Sequence, residues 1–246
     1  MNENDWRSRT ELLIGKDKMR ILENSHVLVA GLGGVGGYVA EQLCRAGIGT
    51  LTLIDSDVVS SSNRNRQIIA LTSTENKKKT AILSDRLKDI NPGIQLHVKD
   101  IFLDENNIPE VLQERFDFIA DAVDTLTPKV ALLSEGVKKG FRIVSSMGSG
   151  GKMDPSLVEI CDIEKSHHCK LASYIRKYLH RKGIYEGIQV VFSPEKVSKE
   201  ALLITDGSGN KRSVVGTISY MPSIFGCFMA AEIIRGLLAG SLGKPG

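Results

Sequence analysis

The sequence predicts an α/β protein: a doubly wound, largely parallel nucleotide-binding sheet with a mixed, antiparallel C-terminal continuation. Three observations predict it. His26-Val27-Leu28-Val29-Ala30 is an unbroken apolar run of strand length, the pattern of a strand buried on both faces. Gly31-Leu32-Gly33-Gly34-Val35-Gly36-Gly37 follows at once and opens a helical pattern over 38–46. A second apolar run, over 51–54, ends on Asp55, nineteen residues beyond Gly36. Strand, G-x-G-x-x-G, helix, strand and acid are the parts of a dinucleotide-type βαβ unit. In such a unit one glycine makes the tight turn, one admits a phosphate to the backbone and one lets helix and strand pack closely. The helix N-terminus offers unpaired N–H groups and a positive dipole end to phosphate oxygens. Gly31, Gly33, Gly34 and Gly36 form the expected phosphate loop, and Asp55 is placed to bind a ribose.

The residues after Asp55 narrow the nucleotide to ATP. Asp57 follows in an Asp-x-Asp pair, then come Asn63, Arg66 and Gln67, and Lys79 opens the next helix. A hydride-transferring enzyme would use the acid on the ribose and leave this set idle. An enzyme attacking the α-phosphate of ATP needs cations and amides to hold phosphate oxygens and neutralise developing charge. A single arginine or asparagine here would read as a polar surface loop, but the set together does not.

The remaining elements follow in order. A short helix is expected over 17–23, inside a polar N-terminal segment. The helix after Lys79 carries Ala81, Leu83, Leu87 and Ile90 on one stripe and stops at Asn91-Pro92-Gly93. A strand over 94–98, a helix over 105–114 and a strand over 116–124 come next. The last of these ends on acids, and ligands of open parallel sheets lie at the carboxyl ends of strands. Asp55 and Asp124 are therefore expected to converge, with Asp124 holding Mg²⁺, a cation that prefers carboxylate and phosphate oxygens; Asp124 can equally cap the helix of 129–137. After a strand over 142–147, the Gly148-Ser149-Gly150-Gly151 crossover leads to a strand over 157–161. An amphipathic helix over 165–182 has a basic face, with Leu171, Ile175 and Leu179 on its apolar stripe. Strands over 189–192 and 201–204, a turn at 206–210 and a helix over 223–238 complete the chain. No repeat or low-complexity tract divides it, so one domain over 1–246 is expected.

Composition bounds the rest. The chain has 246 residues and a net charge of +3, compatible with nucleic acid but no argument for it. No charged-then-apolar leader opens it. The apolar stretch near 218–238 is broken by Pro222, Glu232 and Arg235, so it reads as a core helix and not a stable membrane insertion. Cys44, Cys161, Cys169 and Cys227 form no C-x-x-C pair, and a reduced, cytoplasmic setting is expected. Cys44 and Cys161 read as core. Cys169, beside His167, His168 and Lys170, is the candidate reactive thiol, and His167-His168-Cys169 a weak metal candidate.

Gly31-Leu32-Gly33-Gly34-Val35-Gly36, Asp55-x-Asp57, Asn63-x-x-Arg66-Gln67, Lys79 and Asp121-Ala122-Val123-Asp124 together resemble the E1-like activating-enzyme superfamily. The motifs Ser8-Arg9-Thr10-Glu11-Leu12-Leu13-Ile14-Gly15, Asn65-Arg66-Gln67-Ile68, Ile90-Asn91-Pro92, Asp124-Thr125-x-x-Pro128-Lys129 and Gly150-Gly151-Lys152-Met153-Asp154-Pro155 are similar to its tRNA threonylcarbamoyladenosine dehydratase branch. The resemblance spans about 7–238. It implies ATP-dependent cyclisation of that nucleoside at the anticodon-adjacent position of tRNA, through adenylation of its threonyl carboxylate. It further implies that Asn63, Arg66 and Lys79 stabilise phosphate charge. It also implies a homodimer in which the segment 1–25 contacts the partner and Arg9 reaches the partner's ATP. A cysteine desulfurase or sulfur-acceptor protein is a possible further partner; DNA is not expected. The segment 167–170 is more basic than the branch usually has.

Three rival readings remain open at this point. Adenylation of the C-terminus of a ubiquitin-like sulfur-carrier protein would use the same residues, although the zinc-binding C-x-x-C pairs of many such enzymes are absent. A nicotinamide-dependent oxidoreductase would leave Asn63, Arg66 and Lys79 idle. A non-catalytic nucleotide-binding protein would bind ATP without turnover.

Overall fold

The structure is a computed structural model that describes residues 5–204 and 213–239; the turn expected at 206–210 lies outside them. The first strand, β1 (His26–Ala30), leads into a helix over Gly36–Ala46 and then β2 (Thr50–Ile54). β1 and β2 pair in parallel with Val27 opposite Leu51. Beyond them run β3 (Gln95–Lys99), β4 (Phe118–Asp121), β5 (Ile143–Ser146), β6 (Glu159–Asp162) and β7 (Ile188–Phe192). The seven strands are ordered β3-β2-β1-β4-β5-β7-β6, all parallel except β6, which runs antiparallel to β7. The separate antiparallel pair β8 (Leu202–Ile204) and β9 (Ser213–Val215) completes the mixed continuation. The chain winds outward from β1 to β3, then returns to β4 on the other side of β1. That reversal opens a crevice above the carboxyl ends of β1 and β4.

The helices are α1 (Ser8–Ile14), α2 (Lys16–Glu23), α3 (Gly36–Ala46), α4 (Lys79–Ile90), α5 (Ile108–Val111), α6 (Leu126–Lys138), α7 (Lys170–Arg181) and α8 (Tyr220–Ala239). They cover both faces of the sheet. Leu22, Val29, Leu43, Leu83, Phe225 and Met229 belong to the core on one face. Leu28, Ile119, Leu132, Ile143, Ile175 and Phe192 belong to the core on the other. Burial of both faces is what allows the strands to be almost wholly apolar. α8 lies against the start of α3, where a Cβ on Gly226 would come 2.7 Å from the Val35 carbonyl oxygen. α8 is long and apolar enough to cross a membrane, and its Met221, Phe225, Met229 and Ile233 are buried in the core.

Several elements differ from expectation for local reasons. The helix expected over 105–114 shrinks to Ile108–Val111. Asp104 and Asn107 bond each other's backbone N–H groups, an Asx-type turn that competes with helix, and Pro109 sits in the first turn. The strand expected over 157–161 begins at Glu159, because Asp154 caps a 3-10 turn at Pro155–Leu157. The helix expected over 165–182 begins at Lys170: Asp162 caps another 3-10 turn, and His168 has a φ of 54°. α1 and β9 were not foreseen. α1 buries no residue, so its leucines give no core-facing stripe.

Candidate active site

The glycine loop is shaped by close contacts around β1 and β4. Gly31 has a φ of +84°, and a Cβ there would press on the Ala122 carbonyl at 2.8 Å. A Cβ on Gly36 would lie 1.7 Å from the Gly31 carbonyl oxygen, so no other residue fits. Both contacts draw the first turn of α3 down onto the loop after β4. No side chain caps α3 at its N-terminus, which leaves that end suited to an anion.

Asp55 ties the loop to β2. Its carboxylate accepts from the Leu32 N–H at 2.6 Å and from the Asp57 N–H at 2.8 Å. A carboxylate has about four lone-pair positions, so two bonds leave acceptor capacity for ribose hydroxyls. Asp57 in turn holds Lys79 at 2.7 Å; the lysine side chain is 6% exposed and the aspartate 66%. The predicted phosphate-binding lysine is thus sunk at the head of α4 and directed at Asp57.

The segment 60–68 folds over the glycines. Asn63 accepts from the Ser60 N–H at 3.1 Å and so caps its own turn. Arg66 packs above Gly34: its Cγ is 3.5 Å from the position a Gly34 Cβ would take. Its guanidinium donates to the Ser62 carbonyl and the Asn65 side chain. Gln67 is buried beside Gly33, and its Oε1 has no hydrogen-bond partner. A buried amide oxygen without a partner is costly; it is the amide nitrogen, Nε2, that faces the loop, 3.7 Å from the position a Gly33 Cβ would take.

On the other side of the crevice, Asp121 ends β4. It is fully buried, 2.7 Å from the equally buried Lys129 ammonium, and accepts from the Ser145 hydroxyl at 2.6 Å. Lys129 also donates to the Val123 carbonyl, and Asp121 accepts from the Val123 N–H. This enclosed pair holds the 122–125 loop, on which Asp124 is exposed. Asp55, Asp57, Asn63, Arg66, Gln67, Lys79 and Asp124 therefore belong to the loops at the carboxyl ends of β1, β2 and β4. Arg9 does not join them; it is exposed on α1.

Sequence reading missed what supports the site. The Asp121–Lys129 pair has a weak signal, an acid at a strand end and a lysine one turn into the next helix. The bond from Asn65 Nδ2 to the Thr217 carbonyl, 2.9 Å, joins segments with no sequence signal between them. Thr217 lines a cleft of about 380 Å³ with Lys152, Met153, Glu195, Lys196 and Ser198. Glu195 accepts from the Met153 and Asp154 N–H groups, and the buried Lys152 donates to the Ser193 and Glu195 carbonyls. Burial pushes the Lys152 ammonium down, against the pull of Cys169 and Glu195.

The cysteines are all free. Burial pushes the Cys44 thiol up to about 11 and raises Cys161 and Cys227. Cys169 is a buried core residue, not an exposed thiol. The His167 ring meets Phe192 edge to face, and 167–169 do not gather as a group of metal ligands. Among the described residues, the one group of three potential metal ligands is His26, His97 and Glu114, away from the glycine loop.

Comparison with known proteins yields one family model, that of the ThiF family, matching residues 7–244. The chain is 35% identical, over 94% of each chain, to the tRNA threonylcarbamoyladenosine dehydratase of Bacillus subtilis. The crystal structure of the Escherichia coli tRNA N6-threonylcarbamoyladenosine dehydratase in complex with ATP superposes with a TM-score of 0.86. It is 29% identical to this chain, with 98% of each covered. The sulfur carrier protein ThiS adenylyltransferase of E. coli is 34% identical, over only 62% of this chain and 63% of its own.

Proposed function

This chain belongs to the ThiF family, and from that membership we infer its reaction: ATP-dependent dehydration of N6-threonylcarbamoyladenosine in tRNA. The observation that carries this reading is end-to-end likeness to dehydratases of that nucleoside, where likeness to a carrier-protein adenylyltransferase stops short. In the reaction a threonyl carboxylate oxygen attacks the α-phosphorus of ATP and pyrophosphate leaves. A nitrogen of the same modified nucleoside then attacks the acyl carbon, closing a ring as AMP departs with the carboxylate oxygen. The nucleoside has lost one water, and no external nucleophile is needed. Intramolecular attack of this kind gains its rate from orientation.

The residues divide the work as follows. The loop of Gly31, Gly33, Gly34 and Gly36 and the uncapped end of α3 receive phosphates, and Asp55 takes the ribose. Arg66, above Gly34, neutralises charge that develops on the α-phosphate, with Asn63 beside it. Gln67 brings its amide nitrogen, beside Gly33, to the phosphate loop as a donor. Lys79 keeps a fixed positive charge at the end of β2 with Asp57 as its counter-ion. Mg²⁺ fits Asp124: Asp121 is enclosed by Lys129 and Ser145, which leaves Asp124 as the solvent-facing carboxylate of that loop. The ion would supply neutralisation of phosphate charge.

The enzyme works as a single adenylating domain and as a cytoplasmic homodimer. α1 supports the dimer, since it exposes Leu12 by 73% and Leu13 by 83% beside Trp6, an apolar face that a second copy would cover. Arg9 lies exposed on the same short helix, and in this reading it crosses to the partner's ATP. A sulfur-relay partner finds one exposed cysteine, Cys227, on α8.

Incubation of threonylcarbamoyladenosine-bearing tRNA with the protein and Mg-ATP, read by nucleoside mass spectrometry, tests the reading. It requires loss of one water from that nucleoside, abolished in Arg66→Ala. An unchanged nucleoside, with pyrophosphate exchange only on addition of a carrier protein ending in Gly-Gly, would replace it with carrier activation.

A further inference from the structure

α7 presents one continuous stripe to solvent. Lys170, Tyr174, Lys177, Tyr178 and Arg181 each lie three or four residues from another of the set and are all exposed, so they share a face. Its opposite side, Ala172, Ile175 and Leu179, is buried in the core. The exposed stripe is unusual for a merely solvated face. Tyr174 is 58% and Tyr185, just past the helix, 61% exposed, and Arg181 stacks over the Tyr178 ring at 5.4 Å. No acid lies on the helix itself; nearby, Glu164 is engaged by His180 at 2.8 Å and Glu186 is exposed next to Tyr185. Arg176 is the basic residue that turns inward, donating to the Ile163 and Ser166 carbonyls. The cations on the stripe thus have few internal partners, and flat rings stand between them.

The stripe also has a path to the adenylation site. Asn65, next to Arg66, bonds Thr217. Thr217 and Lys152 line the same cleft, Lys152 donates to the Ser193 carbonyl at 3.1 Å, and the ring of the neighbouring Phe192 meets His167, three residues before α7, at 5.4 Å. Nucleotide loops, cleft and the N-terminal end of α7 therefore follow one another along the molecule.

We propose that this face of α7 carries the anticodon arm of the tRNA substrate, its cations on backbone phosphates and its tyrosines against unstacked bases. The proposal rests on the dehydratase reading and adds where the RNA lies. Cations spaced along a helix of 12 residues, about 18 Å long, can follow successive phosphates. Exposed aromatic rings beside them suit loop bases, which proteins read by stacking. An acidic protein would use the cations but has no need of the rings.

The test compares full-length wild type with Lys177→Glu/Arg181→Glu and Tyr174→Ala/Tyr178→Ala, scoring cyclised nucleoside against tRNA and ATP concentration at several salt concentrations. The expected result for the charge reversal is a rise in the KM for tRNA on the order of tenfold, with a salt dependence shallower by about two phosphate contacts. The tyrosine variant should raise the KM for tRNA with little change in salt dependence. The KM for ATP and the thermal midpoint should stay put, and Lys177→Arg/Arg181→Lys should behave as wild type. If wild type leaves the nucleoside unchanged, the dehydratase reading itself fails. If wild type turns over and both variants keep its tRNA KM and salt dependence, the α7 proposal is overturned. Loss of binding to an acidic protein with unchanged tRNA kinetics would overturn it as well.

Discussion

Gly36 has no room for a side chain, and that constraint belongs to the residue itself. Gly36→Ala would force the Gly31 carbonyl and the first turn of α3 apart. Overpacking of this kind costs about 1–3 kcal/mol or more, and here it falls on the phosphate loop. The variant is expected to have a lower thermal midpoint and to show no ATP-dependent rise in that midpoint; retention of the rise would contradict the loop assignment. Lys129 makes the second prediction at this scale. Lys129→Met leaves the buried Asp121 carboxyl without its partner, a loss of roughly 3–5 kcal/mol measurable by urea unfolding. The double variant Asp121→Asn/Lys129→Met should recover most of it. The candidate site was legible at this scale where a residue's task is local: Gly31, Gly36 and Asp55 have short-range patterns. Gln67's empty acceptor and the Asp121–Lys129 pair were not, because each depends on what a fold brings beside it.

At the scale of elements, α3 and α4 are joined through Glu41. The carboxylate is 6% exposed and accepts from Arg86 at 2.6 Å and Arg45 at 2.9 Å. Burial works to raise its pKa, but the hydrogen bonds from Arg86 and Arg45 outweigh it and hold the carboxyl below its ordinary value of 4.5. A depressed acid contributes stability that is complete above its unfolded pKa and is lost as pH falls through the folded one. Glu41→Gln should therefore cost about 1.5 kcal/mol near neutrality. The gap to wild type should close progressively as pH drops below about 4.5. A gap that persists unchanged in acid would mean that the charge is not what joins the two helices. α5 and the start of α7 teach the limits of periodicity: Asp104, Asn107 and Asp162 hold backbone N–H groups in turns that an apolar stripe does not register.

For the whole molecule the decisive question is whether one chain completes its own site. Arg9 is exposed and sits on a helix that also exposes Leu12 and Leu13. Arg9→Ala and Arg66→Ala should each abolish turnover alone. Mixed after dissociation and reassociation, they should regain activity through dimers that carry one intact site, read by the same nucleoside assay. Leu12→Glu/Leu13→Glu should sediment as a monomer and lose turnover together with Arg9's contribution. Recovery absent from the mixture, with a dimer still present, would place Arg9 outside the partner's site.

The sequence by itself determined the βαβ unit, the parallel winding and the glycine loop, because these rest on period, chirality and glycine geometry within some thirty residues. It also carried the family's motifs, from Arg9 to Pro155. Tertiary structure alone decided that Lys79 is buried against Asp57, that Cys169 is core and not reactive surface, and that Asn65 reaches Thr217. It alone turned Arg176 inward while leaving Lys177 and Arg181 outward. Those outcomes depend on burial and on partners distant in sequence, and a chain records its neighbours along itself but not those that folding brings across to it.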